Sequence, residues 1–260
     1  MAVDSTIIIG IIVVVLLAIV ITVVTIYPSN QQPAQIIGSG GAGSGGTRTA
    51  STLYTVSDAP SMMINGQAVS AVTITVTNIS IHSATTGKWY SAPIATNGTY
   101  NLVALSNTSA FMSNAQLSSG AYDEIALTIS NVTATVNGTT HGVFLPSGTL
   151  KVFGNFVLTN TTTNWVNIDF KVNQSLHSTG NGRLVLLPVI QTRLNQGAQV
   201  TVGGNGTVTV QNSGTVTAEV DSGMNVDGTM EDNFTIPMNE NLTLGVNGTV
   251  GIGVGPGRTH

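Results

Sequence analysis

Val72-Thr73-Ile74-Thr75-Val76-Thr77-Asn78-Ile79-Ser80-Ile81-His82 is the stretch whose reading decides the fold class. Val72, Ile74 and Val76 fall on one side of an extended chain, where successive side chains alternate between two faces, whereas a helix would scatter them around its axis. Ile79 and Ile81 resume the alternation one residue out of phase, which predicts a β-bulge near Asn78. The same period recurs outward along the chain, in Ile125, Leu127 and Ile129, in Val166, Ile168, Phe170 and Val172, and in Val185, Leu187 and Val189 ahead of Gln191. Each set predicts a half-buried strand. Asn-Gly at Asn65, Asn97, Asn137, Asn181, Asn205 and Asn247 offers the pair of positive φ angles that a type I′ hairpin needs. Short strands between such turns, with no convincing amphipathic helix, predict an all-β fold built as an antiparallel β-sandwich.

The composition bounds what such a fold can do. Only 7% of the 260 residues are charged, so hydration of the surface falls to hydroxyls, amides and glycans. Seven Lys and Arg are scattered through a chain of net charge -4, and without a basic stripe nucleic acid is excluded as a partner. The absence of cysteine removes disulfides, thiolate metal sites, a Cys nucleophile and a lipid-modified Cys.

Residues 7–26 form an uninterrupted apolar run dominated by Ile, Val and Leu. At about 1.5 Å per residue a helix of this run spans about 30 Å, the thickness of a bilayer's hydrocarbon core. A lone segment in lipid must satisfy its own backbone, so the run predicts a transmembrane helix that contacts membrane lipid. It is longer than the apolar part of a signal peptide and ends in Tyr27-Pro28-Ser29-Asn30 without a clear small-residue cleavage site, which favours a retained anchor. No Lys or Arg precedes it, so flanking charge gives no orientation. Beyond Pro28 and Pro33, residues 38–46 are Gly, Ser and Ala alone, a tether with little to repay ordering. The expected organisation is an anchor at 1–27, a linker at 28–52, a sandwich domain at 53–195 and a β-rich extension at 196–260.

Asn-x-Ser/Thr occurs at Asn78, Asn97, Asn107, Asn131, Asn137, Asn160, Asn173, Asn205, Asn233, Asn241 and Asn247. This is about twice the number that chance placement of these residue types gives, and four of the sites sit on Asn-Gly-Thr turns. Used as glycan acceptors, they would set everything after the anchor outside the cell.

The segment from about 65 to 191 resembles the prokaryotic extracytoplasmic family known as domain of unknown function 4382. The resemblance rests on the order and spacing of the opening strand quoted above, Lys88-Trp89, Tyr100-Asn101-Leu102-Val103-Ala104-Leu105, and Leu117-Ser118-Ser119-Gly120-Ala121-Tyr122-Asp123-Glu124-Ile125-Ala126-Leu127. Pro146-Ser147-Gly148, Val166-Asn167-Ile168-Asp169-Phe170 and Leu186-Leu187-Pro188-Val189-Ile190 complete it. It implies a secreted or surface-anchored β-sandwich and no assigned activity. Many bacterial members resemble lipoproteins, and a helical anchor without a lipid-modified Cys fits an archaeal-type envelope better.

Catalytic machinery is not visible. His82, His141, His177 and His260 lack metal-ligand spacing, and no Gly-x-Ser-x-Gly elbow singles out a nucleophile among the serines. Asp123 and Glu124 are neighbours on an expected strand, pointing to opposite faces, so they form no glycosidase pair. Asp221, Asn225, Asp227, Glu231 and Asp232, with Glu219 nearby, offer oxygen ligands to calcium without an EF-hand register. Trp89, Tyr90 and Trp165 would form a sugar-stacking platform if exposed, but core packing is the expectation for aromatics on sandwich strands.

The extension keeps strand-like alternation with Phe234 as its one aromatic residue, too little to support a core of its own. Its strands are expected to complete a sheet, on this chain or on a neighbour. No catalytic residue, cofactor or firm metal site is assigned. The functional expectation is a non-enzymatic, membrane-anchored, N-glycosylated surface protein with a structural or adhesive role. The alternatives are a pilus or filament subunit that self-associates through its helix or a donated strand, and a carbohydrate- or calcium-binding surface module.

Overall fold

The computed structural model describes residues 48–58, 62–95, 97–232, 242–244 and 250–252. Along them the strands run β1 (Thr49–Asp58), β2 (Met63–Ile64), β3 (Gln67–Ser83), β4 (Trp89–Ala92), β5 (Thr99–Asn101), β6 (Ser109–Ser118), β7 (Gly120–Val136), β8 (Thr139–Phe144), β9 (Thr149–Leu158) and β10 (Asn164–Phe170). After a single helical turn, α1 (Val172–Ser175), follow β11 (Leu176–Ser178), β12 (Leu184–Leu186), β13 (Val189–Gln196), β14 (Gln199–Val202), β15 (Thr207–Asn212), β16 (Thr215–Met224), β17 (Met230–Asp232), β18 (Leu242–Leu244) and β19 (Val250–Ile252). The expected anchor at 7–26 and the Gly/Ser run at 38–46 lie outside the described residues. Among the described residues no helix is long and apolar enough to cross a membrane.

The fold is all-β, with two large sheets. The first has the order β14-β15-β6-β1-β10-β13-β16-β17; the second runs β11-β12-β8-β7-β3-β2, with β4 and β5 also paired to β3 and β9 to β7. The chain passes repeatedly from one sheet to the other, so the inward faces of both fill one core. Tyr54, Val56, Val166, Ile168 and Phe170 come from the first sheet, and Val72, Ile74, Ile125 and Leu127 from the second; all are fully buried. At about 1.5–3 kcal/mol for each large apolar side chain, this shared burial is what holds the sheets together in an arrangement of the β-sandwich or barrel-like kind. The pattern that opened the sequence forms β3, and the pairing of β3 with β7 changes register between Val76 and Asn78, where the phase slip placed a bulge.

Several expectations need correction. The sheets are mixed rather than purely antiparallel: β1 pairs with β10 in parallel over seven residues, and β12 pairs with β8 in parallel. Strands so distant in sequence are not joined by a hairpin, so the turn chemistry that predicts antiparallel neighbours says nothing about them. The run through Val185, Leu187 and Val189 is two strands in two sheets, divided at Pro188, which has no N–H to continue a ladder. All residues from 184 to 190 are buried, because Leu184 and Leu186 enter the main core while Val185 and Leu187 meet Leu242 and Leu244. Val172 is buried but belongs to α1, not to the strand ending at Phe170. β1 begins at Thr49, inside the stretch expected as linker. Of the Asn-Gly pairs, Asn65-Gly66 and Asn137-Gly138 have positive φ at both residues, while at 97–98, 181–182 and 205–206 only the glycine does. Asn247 lies outside the described residues.

Strands of the 196–260 segment join this same sheet on both flanks. β16 pairs with β13 over eight residue pairs, and β15 pairs with β6. Ala198 with Val200 and Val202 also covers Leu53, Phe111 and Trp165 on the face of the first sheet turned away from the main core. At the seam between sheets, a Cβ on Gly154 of β9 would lie 2.7 Å from Cγ2 of Val220 on β16, so only glycine allows this approach.

Candidate functional site

The alternation of β3 also fixes what the second sheet shows to solvent. With Ile79 and Ile81 turned inward, Ser80 and His82 face out. Register then aligns four strands: Trp89 of β4 lies opposite His82, Glu124 of β7 lies opposite His82 on its other side, and Phe153 of β9 lies opposite Glu124. The result is a cross-strand row of Trp89, His82, Glu124 and Phe153. In the adjacent row Ser91, Ser80 and Ala126 are small, and Lys151 ends it.

Asp123 enters the row through a bulge. Against β3, Tyr122 faces Ser83 and Glu124 faces His82; against β9, Tyr122 faces Phe156 and Glu124 faces Phe153. Asp123 is thus skipped on both sides, and a bulge of this kind re-aims the side chain it leaves unpaired. The expectation that Asp123 and Glu124 point to opposite faces is corrected accordingly, since both contact the same group of side chains. Asp123 Oδ1 lies 2.6 Å from His82 Nδ1, and Glu124 Oε1 lies 3.0 Å from Lys151 Nζ. The hydrogen bond to Asp123 raises the His82 imidazole above its ordinary value, against a smaller lowering by desolvation.

Trp89 is 46% exposed, so core packing is not its role. Its ring centroid lies 5.1 Å from that of His82, tilted by 49°, and Lys151 Nζ lies 5.9 Å from it. β4 and β9 are three strand spacings apart, about 14 Å. A contact between their side chains requires both to lean inward across the sheet, so the indole is held over the row, with His82 and Lys151 against it. Phe153 is also exposed, at 42%. Neither Phe153 nor Lys151 was singled out in the sequence. Their signal was the outward phase of β9, where Lys151, Phe153 and Val157 are exposed while Leu150, Val152, Phe156 and Leu158 are buried.

The other sequence candidates are dispersed. Trp165 is 8% exposed beneath the extension, and its Nε1 donates to Thr55 Oγ1 at 2.8 Å. Tyr90 packs partly buried against the core, edge-on to Tyr122. The five calcium candidates are not gathered into a ligand set: Asp221 accepts from Lys171 and Gln191, Asp227 from Thr229, Asp232 from Ser222, Asn225 donates to Thr229, and Glu231 is exposed. Among the described residues no group of three or more His, Asp or Glu could hold a metal ion. Of the Asn-x-Ser/Thr sites, Asn97, Asn107, Asn131, Asn137, Asn173 and Asn205 are exposed and Asn78 and Asn160 half-buried. Asn233, Asn241 and Asn247 lie outside the described residues. His141 lines a cleft with Arg183, His177 is half-buried with its imidazole lowered by that burial, and His260 is outside the described residues.

The family described as Domain of unknown function (DUF4382) matches residues 49–188, more than half of the chain. The chain belongs to this family. The matched segment runs from β1 through β12 and begins earlier than the resemblance over 65–191, taking in the whole of β1. All residues of the Trp89 row lie within the DUF4382 segment, whereas β13 to β19, including the cover over Trp165, lie beyond it. No curated protein and no solved structure matches the chain.

Proposed function

We propose that this DUF4382 protein is a non-enzymatic, membrane-anchored cell-surface protein of an archaeal-type envelope, adhesive in role, whose contact surface is the outer face of the second sheet. The observation that carries the reading is Trp89: a large aromatic left open to solvent on a sheet face, held in place by an imidazole and an ammonium. Tryptophan is enriched at recognition surfaces and among the residues that carry most of their binding energy. A non-enzymatic role is favoured because Asp123 is exposed and Glu124 is ion-paired, so neither occupies the apolar pocket that makes a carboxyl a general acid near neutral pH. Surface location is supported by the apolar run at 7–26 and by the absence of any buried Asn among the described Asn-x-Ser/Thr sites.

The test uses native cells. The protein is expected to stay with membranes through an alkaline wash, to be shaved by protease from intact cells, and to carry glycan on exposed sites such as Asn137. Full protection from external protease would overturn the surface reading. Unchanged attachment of cells carrying Trp89→Ala would overturn the adhesive one.

A further inference from the structure

The row on the second sheet has an anatomy that selects its ligand. Protein–protein interfaces place apolar groups at the centre and polar groups at the rim, with charge depleted from the core. Here the order is reversed. Trp89 and Phe153 rise from the outer strands β4 and β9, about 14 Å apart by strand spacing, with His82, Asp123 and Glu124 on the strands between them and the Lys151 ammonium reaching in from β9. A protein partner would have to bury those four groups to bring its apolar side chains to the two rings, and desolvating them is costly. A sugar chain meets no such conflict. Each ring has an apolar C–H face that stacks on an indole and a belt of hydroxyls that needs donors and acceptors at its edge.

The polar groups retain capacity for that belt. A carboxylate has about four lone-pair positions; Asp123 is exposed and uses one oxygen for His82, whereas Glu124 is largely buried and serves to hold the Lys151 ammonium. Lys151 supplies further N–H donors, and Ser91, which is exposed, and Ser80, which is partly so, add short hydroxyls in the adjacent row. The chain is poor in charge, with eleven Asp and Glu and seven Lys and Arg in 260 residues. Three of these charged residues are gathered beside an open tryptophan.

We propose that Trp89, His82, Asp123, Glu124, Lys151 and Phe153 form a binding site for a neutral oligosaccharide, which stacks one ring on Trp89 and extends across the strands toward Phe153. This rests on the reading of the face as an adhesive surface and names the chemical class it recognises. Two carboxylates face one ammonium here, with His82 adding a positive charge only when protonated, so the site carries no excess cation to draw sulfated or uronic-acid chains, and neutral hexose and N-acetylhexosamine chains are preferred.

The experiment displays the full-length protein in detergent micelles on an array of short neutral oligosaccharides beside acidic counterparts, with Trp89→Ala, Asp123→Asn and Trp165→Phe as variants and thermal unfolding of each recorded. The wild type is expected to bind neutral chains with saturation. Trp89→Ala should lose about tenfold or more in affinity, the scale of an aromatic anchor, with its unfolding temperature unchanged. Asp123→Asn should weaken binding less, and Trp165→Phe not at all if it stays folded. No saturable binding by the folded wild type, or a Trp89→Ala variant within twofold of it, overturns the site. If binding is absent while wild-type cells still attach and Trp89→Ala cells do not, the carbohydrate assignment fails and the adhesive reading stands. If sugar binding is present and attachment is unaffected by Trp89→Ala, the adhesive reading fails and the site stands.

Discussion

The two tryptophans of this chain sit on the outward faces of its two sheets and meet opposite fates. On the first sheet the polar groups satisfy one another. Trp165 Nε1 donates to Thr55, Thr55 to Asn167, Asn167 to Ser57 and Ser57 to Asp169, along the parallel pair of β1 and β10. Further across, Arg193 pairs with Glu219, Lys171 with Asp221, and Gln191 donates to both acidic partners. Ala198, Val200 and Val202 then cover Trp165. On the second sheet no such cover over Trp89 is found among the described residues. The lesson is that an aromatic residue on a sandwich strand is structural or available according to what later chain lies across it, and here that chain is the extension beyond the family segment.

This contrast can be broken by substitution. The largest effect is expected for Trp165→Ala, which empties a buried site and should cost about 3–5 kcal/mol in denaturant unfolding, whereas Trp89→Ala should stay within about 0.5 kcal/mol, as for other exposed positions. Equal losses would erase the distinction. Thr55→Val removes the acceptor of the Trp165 indole and the donor to Asn167, and about 1–3 kcal/mol should be lost by leaving a buried N–H unpaired. Arg193→Ala, by contrast, breaks a half-exposed ion pair on the same face and should change stability by only about 0.2–1 kcal/mol, less at high salt.

A smaller and subtler effect belongs to His82. Its folded-state proton affinity is raised by Asp123, so the stabilising contribution of this pair is complete below the ordinary imidazole value, about 6.5, and is lost as pH rises through the folded-state value. Proton NMR should place the His82 titration above 6.5, and Asp123→Asn should bring it down; a midpoint indifferent to that substitution would mean that the hydrogen bond does not govern it.

Much of the fold was legible in residues. The phase slip between Val76 and Ile79 located a bulge, and the alternating sets at 125–129 and 166–170 fill the core. The parallel partnership of β1 with β10 was not, because pairing between segments more than a hundred residues apart leaves no local mark. The division at Pro188 leaves no mark in the pattern because residues 184–190 are apolar without a break, with 184–187 buried on two faces by different partners. For the site, Trp89 was readable as a candidate, but its exposure was not, since exposure depends on what the rest of the chain does or does not place over it. The bulge at Asp123 escaped as well: Tyr122, Asp123 and Glu124 read as ordinary alternation, and only the register of both neighbouring strands reveals the skipped residue.

The most direct test compares the indoles one at a time. In Trp165→Phe the remaining Trp89 should emit at long wavelength and be quenched readily by acrylamide; in Trp89→Phe the remaining Trp165 should emit at shorter wavelength and resist quenching. Equal quenching of the two, or a shielded Trp89, would contradict the account.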